Sequence, residues 1–75
     1  MICLKDVCLD KDVRVIKLDV DRGILKRFLD IGLIEGSIIR KVLSSYSGGI
    51  NAYLILDSVI AIRDKDIKGV MVEYV

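Results

Sequence analysis

The sequence predicts a mainly β fold, one small barrel of about five short strands with one α-helix between the first and second strands. Three observations carry this. Only residues 22–31 combine apolar residues at helical spacing with a start signal and a stop signal. Five other segments are short, rich in Val, Ile and Leu, and separated by Gly, Asp and Ser. In two of them, 37–45 and 52–57, both alternate faces carry apolar side chains. That pattern suits a small closed barrel partly covered by a helix better than a one-sided sheet.

The first strand is expected over 13–18, Val-Arg-Val-Ile-Lys-Leu. Its alternation slips one step between Val15 and Ile16, as at a bulge or strong bend. Asp19 to Asp21 turn the chain. Asp21 is placed to cap the helix that follows, because its carboxylate can accept from the open N–H groups of the first turn. Ile24, Leu25, Phe28 and Leu29 share one expected apolar face, while Lys26, Arg27 and Asp30 fall elsewhere. Gly32 suits a left-handed residue just past the helix end, and Leu33 would then fold back onto Phe28 in a Schellman motif. Ile34-Glu35-Gly36 turns the chain into the strand at 37–45. Ser47-Gly48-Gly49 forms a hairpin tip before the strand at 52–57. Asp57-Ser58 is read as a tight turn into 59–63. Asp64-Lys65-Asp66 is read as a polar turn or one turn of 3₁₀ helix, and 70–75 as the closing strand.

The chain has 75 residues, room for a single domain spanning 1–75. A domain this size buries only roughly 60% of its unfolded surface, so it needs a dense apolar core, a staple or a partner. The hydrophobic fraction of 53% favours the dense core. Aromatics are limited to Phe28, Tyr46, Tyr53 and Tyr74. The net charge is +1, from 12 basic and 11 acidic side chains, which gives neither the basic excess nor the stacking aromatics of a nucleic-acid binder. No apolar run exceeds Ala52–Leu56, far short of the roughly 18 residues of a transmembrane helix. The stretch Met1 to Asp6 lacks a basic n-region and a long apolar h-region, so a cytoplasmic, reduced chain without membrane insertion is expected.

Histidine is absent, which removes the commonest general base and metal ligand and excludes a Ser-His-Asp or Cys-His pair within this chain. No catalytic residue, metal ligand set or cofactor site is predicted, and the chain is read as a non-enzyme. Cys3 and Cys8 alone cannot supply the four ligands of structural zinc and are read as small buried apolar residues. Three Asp-x-Asp pairs, Asp10/Asp12, Asp19/Asp21 and Asp64/Asp66, fall at turns, where Asp caps N–H groups or is solvated. Ser47-Gly48-Gly49 lacks the Lys and helix of a phosphate loop. Lys26, Arg27, Arg40 and Lys41 are the candidates for a basic patch, and scattered solvated charge is the commoner outcome for such residues.

The segment Leu25-Lys-Arg-Phe-Leu-Asp-Ile-Gly-Leu-Ile-Glu-Gly36 resembles the signature of the FeoA family, a helix ending in Leu-x-x-Leu-Gly-Leu followed two residues later by Gly and a strand. Leu29, Gly32, Leu33 and Gly36 occupy the matching places, read here as core residue, left-handed cap, staple and turn. Val59-Ile-Ala-Ile-Arg63 resembles the family's strand ending in Ala-Leu-Arg, and Gly69-Val-Met-Val72 its last strand. The likeness runs from about Leu4 to Val75. Glu35 replaces the family's common Pro, Asp10-Lys11-Asp12 its usual first-turn Gly, and Ser44 to Asn51 its Pro- and Gly-containing hairpin.

The resemblance implies an SH3-like barrel. It implies a small cytoplasmic accessory or regulatory protein of bacterial ferrous-iron uptake, related to transition-metal handling and acting by contact with the cytosolic domain of the permease FeoB. A free-standing regulatory domain like the C-terminal SH3-like domain of DtxR-type metal-dependent repressors is the alternative. The expected partner surface is the outward side of the helix and the turn after it: Arg22, Lys26, Arg27, Ile34 and Glu35.

Overall fold

The computed structural model describes residues 1–45 and 47–75; Tyr46, counted above among the aromatics and within the hairpin loop, lies outside the described residues. Six strands form one antiparallel sheet. They are β1 (Ile2–Cys3), β2 (Asp12–Leu18), β3 (Ile38–Ser44), β4 (Ile50–Ile55), β5 (Ser58–Arg63) and β6 (Val70–Tyr74), in the order β1-β6-β2-β3-β4-β5. The single α-helix, α1 (Arg22–Ile31), joins β2 to β3. Single 3₁₀ turns occupy Leu4–Asp6 and Asp64–Asp66. The five expected strands are present, and β1 is added before them, so the helix follows the second strand. Two residues are too few to show alternation, and β1 is a strand only because Ile2 and Cys3 pair with Val72 and Met71 of β6.

Bulges bend the sheet into a small barrel. In β2 the register against β6 shifts between Val15 and Lys17, leaving Ile16 unpaired, at the place where the alternation slips. A second shift falls between Lys41 and Leu43 in β3. The buried side chains come from one face of each long strand: Val13 and Val15, Ile39, Tyr53 and Ile55, Ile62, Val70 and Val72. The apolar residues on the opposite faces, Ile38, Leu43, Ile50 and Val59, stay exposed. The two-sided apolar pattern therefore includes an apolar outer surface. The β4–β5 turn also sits one residue earlier than expected. Ser58 already pairs with Ile55, which leaves Leu56 and Asp57 as the turn, both left-handed at φ 48° and 65°.

The helix ends are as expected. Asp21 Oδ1 accepts from the Ile24 N–H at 2.9 Å. Gly32 has φ 87°, its N–H donates to the Leu29 carbonyl at 3.2 Å, and the Leu33 N–H donates to the Phe28 carbonyl at 2.9 Å. These two bonds are the Schellman pair, and both Leu33 and Phe28 are buried. Leu29, however, is 55% exposed and is not core. The helix turns inward along Ile24, Phe28 and Ile31, spaced i, i+4, i+7. Leu29 falls with Arg22 and Lys26 on the outward stripe, and Leu25 is half-buried between the two.

Other contacts close the barrel. Asp19 N–H donates to the Gly69 carbonyl at 2.8 Å, which draws the two backbones so close that a Cβ on Gly69 would overlap the Asp19 carbonyl oxygen. Asn51 Nδ2 donates to Asp64 Oδ1 at 2.7 Å, tying β4 to the second 3₁₀ turn. Among the described residues the buried Tyr53 hydroxyl has no hydrogen-bond partner, and burial pushes its phenol well above the ordinary tyrosine value.

Gly69→Ala must displace backbone and should destabilise the fold by more than Gly36→Ala. At Gly36 a Cβ has open space and only the left-handed penalty of about 1–2 kcal/mol applies. Melting temperatures of the two variants check this ordering, and a Gly69→Ala variant as stable as the native chain contradicts the close approach. An unpartnered buried hydroxyl costs about 1–3 kcal/mol, so Tyr53→Phe should leave stability unchanged or raised. A clear fall in denaturant midpoint would show that the hydroxyl has a partner after all.

Candidate docking surface

The turn after α1 is locked by one serine. Ser37 Oγ donates to the Gly32 carbonyl at 2.8 Å and accepts from the Ile34 N–H at 3.1 Å, while the Ser37 N–H donates to the Ile34 carbonyl at 3.0 Å. The barrel side is fixed by Val15 N–H to Ser37 carbonyl at 2.9 Å and Gly36 N–H to Val15 carbonyl at 2.8 Å. Ile34 is thus held on a rigid turn with its side chain exposed. Leu56 lies where a Cβ on Gly32 would sit, and it is 76% exposed. The β3–β4 register, continued past Arg40 and Leu54, brings Ile38 opposite Leu56. Both line a depression of about 280 Å³ that also includes Asp12, Arg40 and Asp57. Leu29, Ile34, Ile38 and Leu56 therefore gather at one end of the barrel, around Gly32.

Of the residues expected to meet a partner, Arg22, Lys26, Arg27, Ile34 and Glu35 are all exposed. Arg22 and Lys26 share the outward helix stripe with Leu29, whereas Arg27 lies on a flank. The sequence reading missed Ile38 and Leu56. A signal for Leu56 was present: an apolar residue in a two-residue hairpin turn, where Asn, Asp or Gly is the rule. A bulky residue at positive φ is an outlier of the kind that clusters at functional sites.

The basic candidates on β3 do not join this surface as free charge. Arg40 Nε donates to Asp12 Oδ1 at 2.8 Å, and this bond holds the Asp12 carboxyl below the usual carboxylate range and pushes Arg40 up. Lys41 is 5% exposed, and its Nζ donates to the Lys5 carbonyl at 2.8 Å. Lys41 is a tie between β3 and the first 3₁₀ turn.

The Asp-x-Asp residues have separate structural roles, and Asp12 lies in β2 and not at a turn as expected. Asp10 is left-handed at φ 62°, Asp21 caps α1, and Asp64 holds Asn51. Cys3 is half-buried, with Sγ 3.4 Å from the carbonyls of Ile67 and Lys68. Cys8 is exposed, not buried as expected, because it falls in the exposed loop between the first 3₁₀ turn and β2; its backbone N–H donates to the Tyr74 hydroxyl at 3.0 Å. Among the described residues, no group of three or more His, Cys, Asp or Glu side chains could hold a metal ion. No described helix is long and apolar enough to cross a membrane.

Fold and surface together define a small SH3-like barrel with one capped helix and an apolar patch at the helix end. A family model described as the FeoA domain matches residues 2–74. The chain belongs to the FeoA family, which ties it to ferrous-iron transport as an accessory domain outside the known enzyme families. Solved structures agree on the fold. The solution structure of FeoA protein from Chlorobium tepidum superposes with a TM-score of 0.90 at 15% identity, covering 97% of this chain and 70% of that one. Iron(II) transport protein A from Clostridium thermocellum gives 0.93 at 20% identity, covering 99% of this chain and 46% of that one. A FeoA-like protein from Clostridium acetobutylicum gives 0.85 at 22% identity, covering 97% and 85%. A comparison with curated proteins found no match.

The donor set leads to one expectation about metal. Titration of the purified chain with ferrous iron or zinc should give no stoichiometric binding at micromolar metal, since the chain has two Cys and no His. Calorimetry showing such binding, abolished by substitution of both Cys3 and Cys8, would reverse that expectation.

Proposed function

We propose that this chain is a cytoplasmic regulatory protein of ferrous-iron uptake that acts by docking onto the cytosolic domain of an FeoB-like permease. The observation that carries the reading is the exposed apolar patch of Leu29, Ile34, Ile38 and Leu56, with Leu56 held at φ 48°. Apolar side chains grouped on a rigid surface beside charge have the makings of an interface centre. Fully burying one Leu is worth about 1.5–3 kcal/mol, and a left-handed Leu kept in solvent gains little of that within the isolated barrel. Arg22 and Lys26 run along α1 toward Leu29 and supply charge that orients an acidic partner. Arg27 and Glu35 flank the same end.

The test is a titration of the chain against the cytosolic domain of such a permease. Ile34→Asp and Leu56→Asp should weaken binding at least about tenfold, the equivalent of roughly 1.4 kcal/mol. Leu56→Asp is compatible with the turn, because Asp accepts the left-handed region more readily than Leu. Arg27→Glu should mainly slow association and reduce its salt dependence. Circular dichroism confirms that each variant is folded. Equal binding by all variants removes this surface, and no binding by the native chain overturns the permease reading.

A further inference from the structure

The sheet has two ends of different character. β1 is two residues long, a common way of blunting an edge. Among the described residues, β5 is six residues long, pairs only with β4, and does so without a bulge. It contains no Pro and no inward-facing charge. Its two-residue turn makes Ile55–Ser58 the closing hydrogen-bonded pair, so the bonded pairs continue through Tyr53–Ile60 and Asn51–Ile62. The intervening residues, Val59, Ala61 and Arg63, therefore point their N–H and C=O groups at the open edge. The outer side-chain face of β5, with the turn before it, reads Asp57, Val59, Ala61, Arg63, all exposed. That order is acidic, apolar, small, basic, and it is complementary to itself when reversed.

We propose that this edge pairs with a second copy of itself. Two β5 strands run antiparallel about a two-fold axis at Ile60, joining two six-stranded sheets into one. Val59 then faces Ala61 of the second copy, and Asp57 faces its Arg63. The groups of Val59 and Ala61 exchange backbone hydrogen bonds across the axis in both directions. Shifting the register by two residues either way separates Asp57 from Arg63, so the charges select the Ile60-centred pairing. The outer face of Leu54, half-buried, and Val59, exposed, continues across the joint. Leu56 of each copy stands opposite Asp64 of the other, about 27 Å from its symmetry mate at about 3.4 Å per residue. The pairing uses no residue of α1 or of the Ser37-locked turn, and it is argued without the permease contact.

Sedimentation equilibrium of the full chain, from low micromolar to millimolar concentration, tests this without any other protein. The expected result is an average mass rising toward twice the 8.4 kDa of one chain. Ala61→Pro should hold the mass at one chain while preserving the fold, since the N–H it removes faces the open edge and not β4. Arg63→Glu should weaken association about tenfold through two repulsive pairs, and adding Asp57→Lys to it should restore association. A single-chain mass throughout, or a dimer indifferent to Ala61→Pro, overturns the proposal. A dimer that Ala61→Pro abolishes but charge reversal leaves unchanged overturns the Ile60-centred register.

Discussion

Gly32 meets three demands at one backbone position. The chain must leave α1 at φ 87°, it must direct the Gly32 and Leu33 N–H groups back to the carbonyls of Leu29 and Phe28, and it must leave space for Leu56 where a Cβ would stand. Only a residue without a side chain does all three. Phe28 and Leu33 are then buried together, and they are the helix's main anchor in the barrel. From that turn the chain enters the Ser37-locked corner and β3. The direction of α1, the start of β3 and the position of Leu56 on β4's turn all depend on it.

A barrel of this size has little apolar interior, and it supplements that interior with a few long-range polar ties. Lys41 reaches the Lys5 carbonyl, Asn51 reaches Asp64, and Asp19 meets Gly69 backbone to backbone. Each joins segments far apart in sequence, where each bond restricts the largest amount of chain freedom. The surface ion pairs Lys5–Asp6, Arg14–Glu73 and Arg40–Asp12 are exposed and contribute little by comparison. Among the described residues, one buried group, the Tyr53 hydroxyl, is left without a tie.

The outer surface is more apolar than a barrel needs for its own stability. The inner faces of the strands form the core, yet Ile38, Leu43, Ile50, Leu56 and Val59 face solvent. Isolated exposed apolar residues are ordinary. Grouping Leu29, Ile34, Ile38 and Leu56 around the rigid end of α1, with Leu56 in a left-handed turn, is not what solubility alone would favour.

The helix and its stops were legible in the sequence because they are local. Asp21 accepts from Ile24 one turn on, and Gly32 and Leu33 donate back to Leu29 and Phe28 one turn earlier, so spacing alone specifies the capped ends. The bulge at Ile16 was legible as a break in alternation, and the Ile31-Gly32-Leu33 segment as a family likeness. What spacing cannot give is which way a two-sided apolar pattern faces. Leu29 lies on the outward stripe because the barrel draws α1 in along Ile24, Phe28 and Ile31, and Ile38 and Leu56 meet only once β3 and β4 are in register. Lys41 reads as a surface charge until folding brings the Lys5 carbonyl within reach. Local sequence determined where elements begin and end, since capping and turn chemistry act over a few residues. Tertiary structure decided which faces are buried, because burial depends on partners that are distant in the chain.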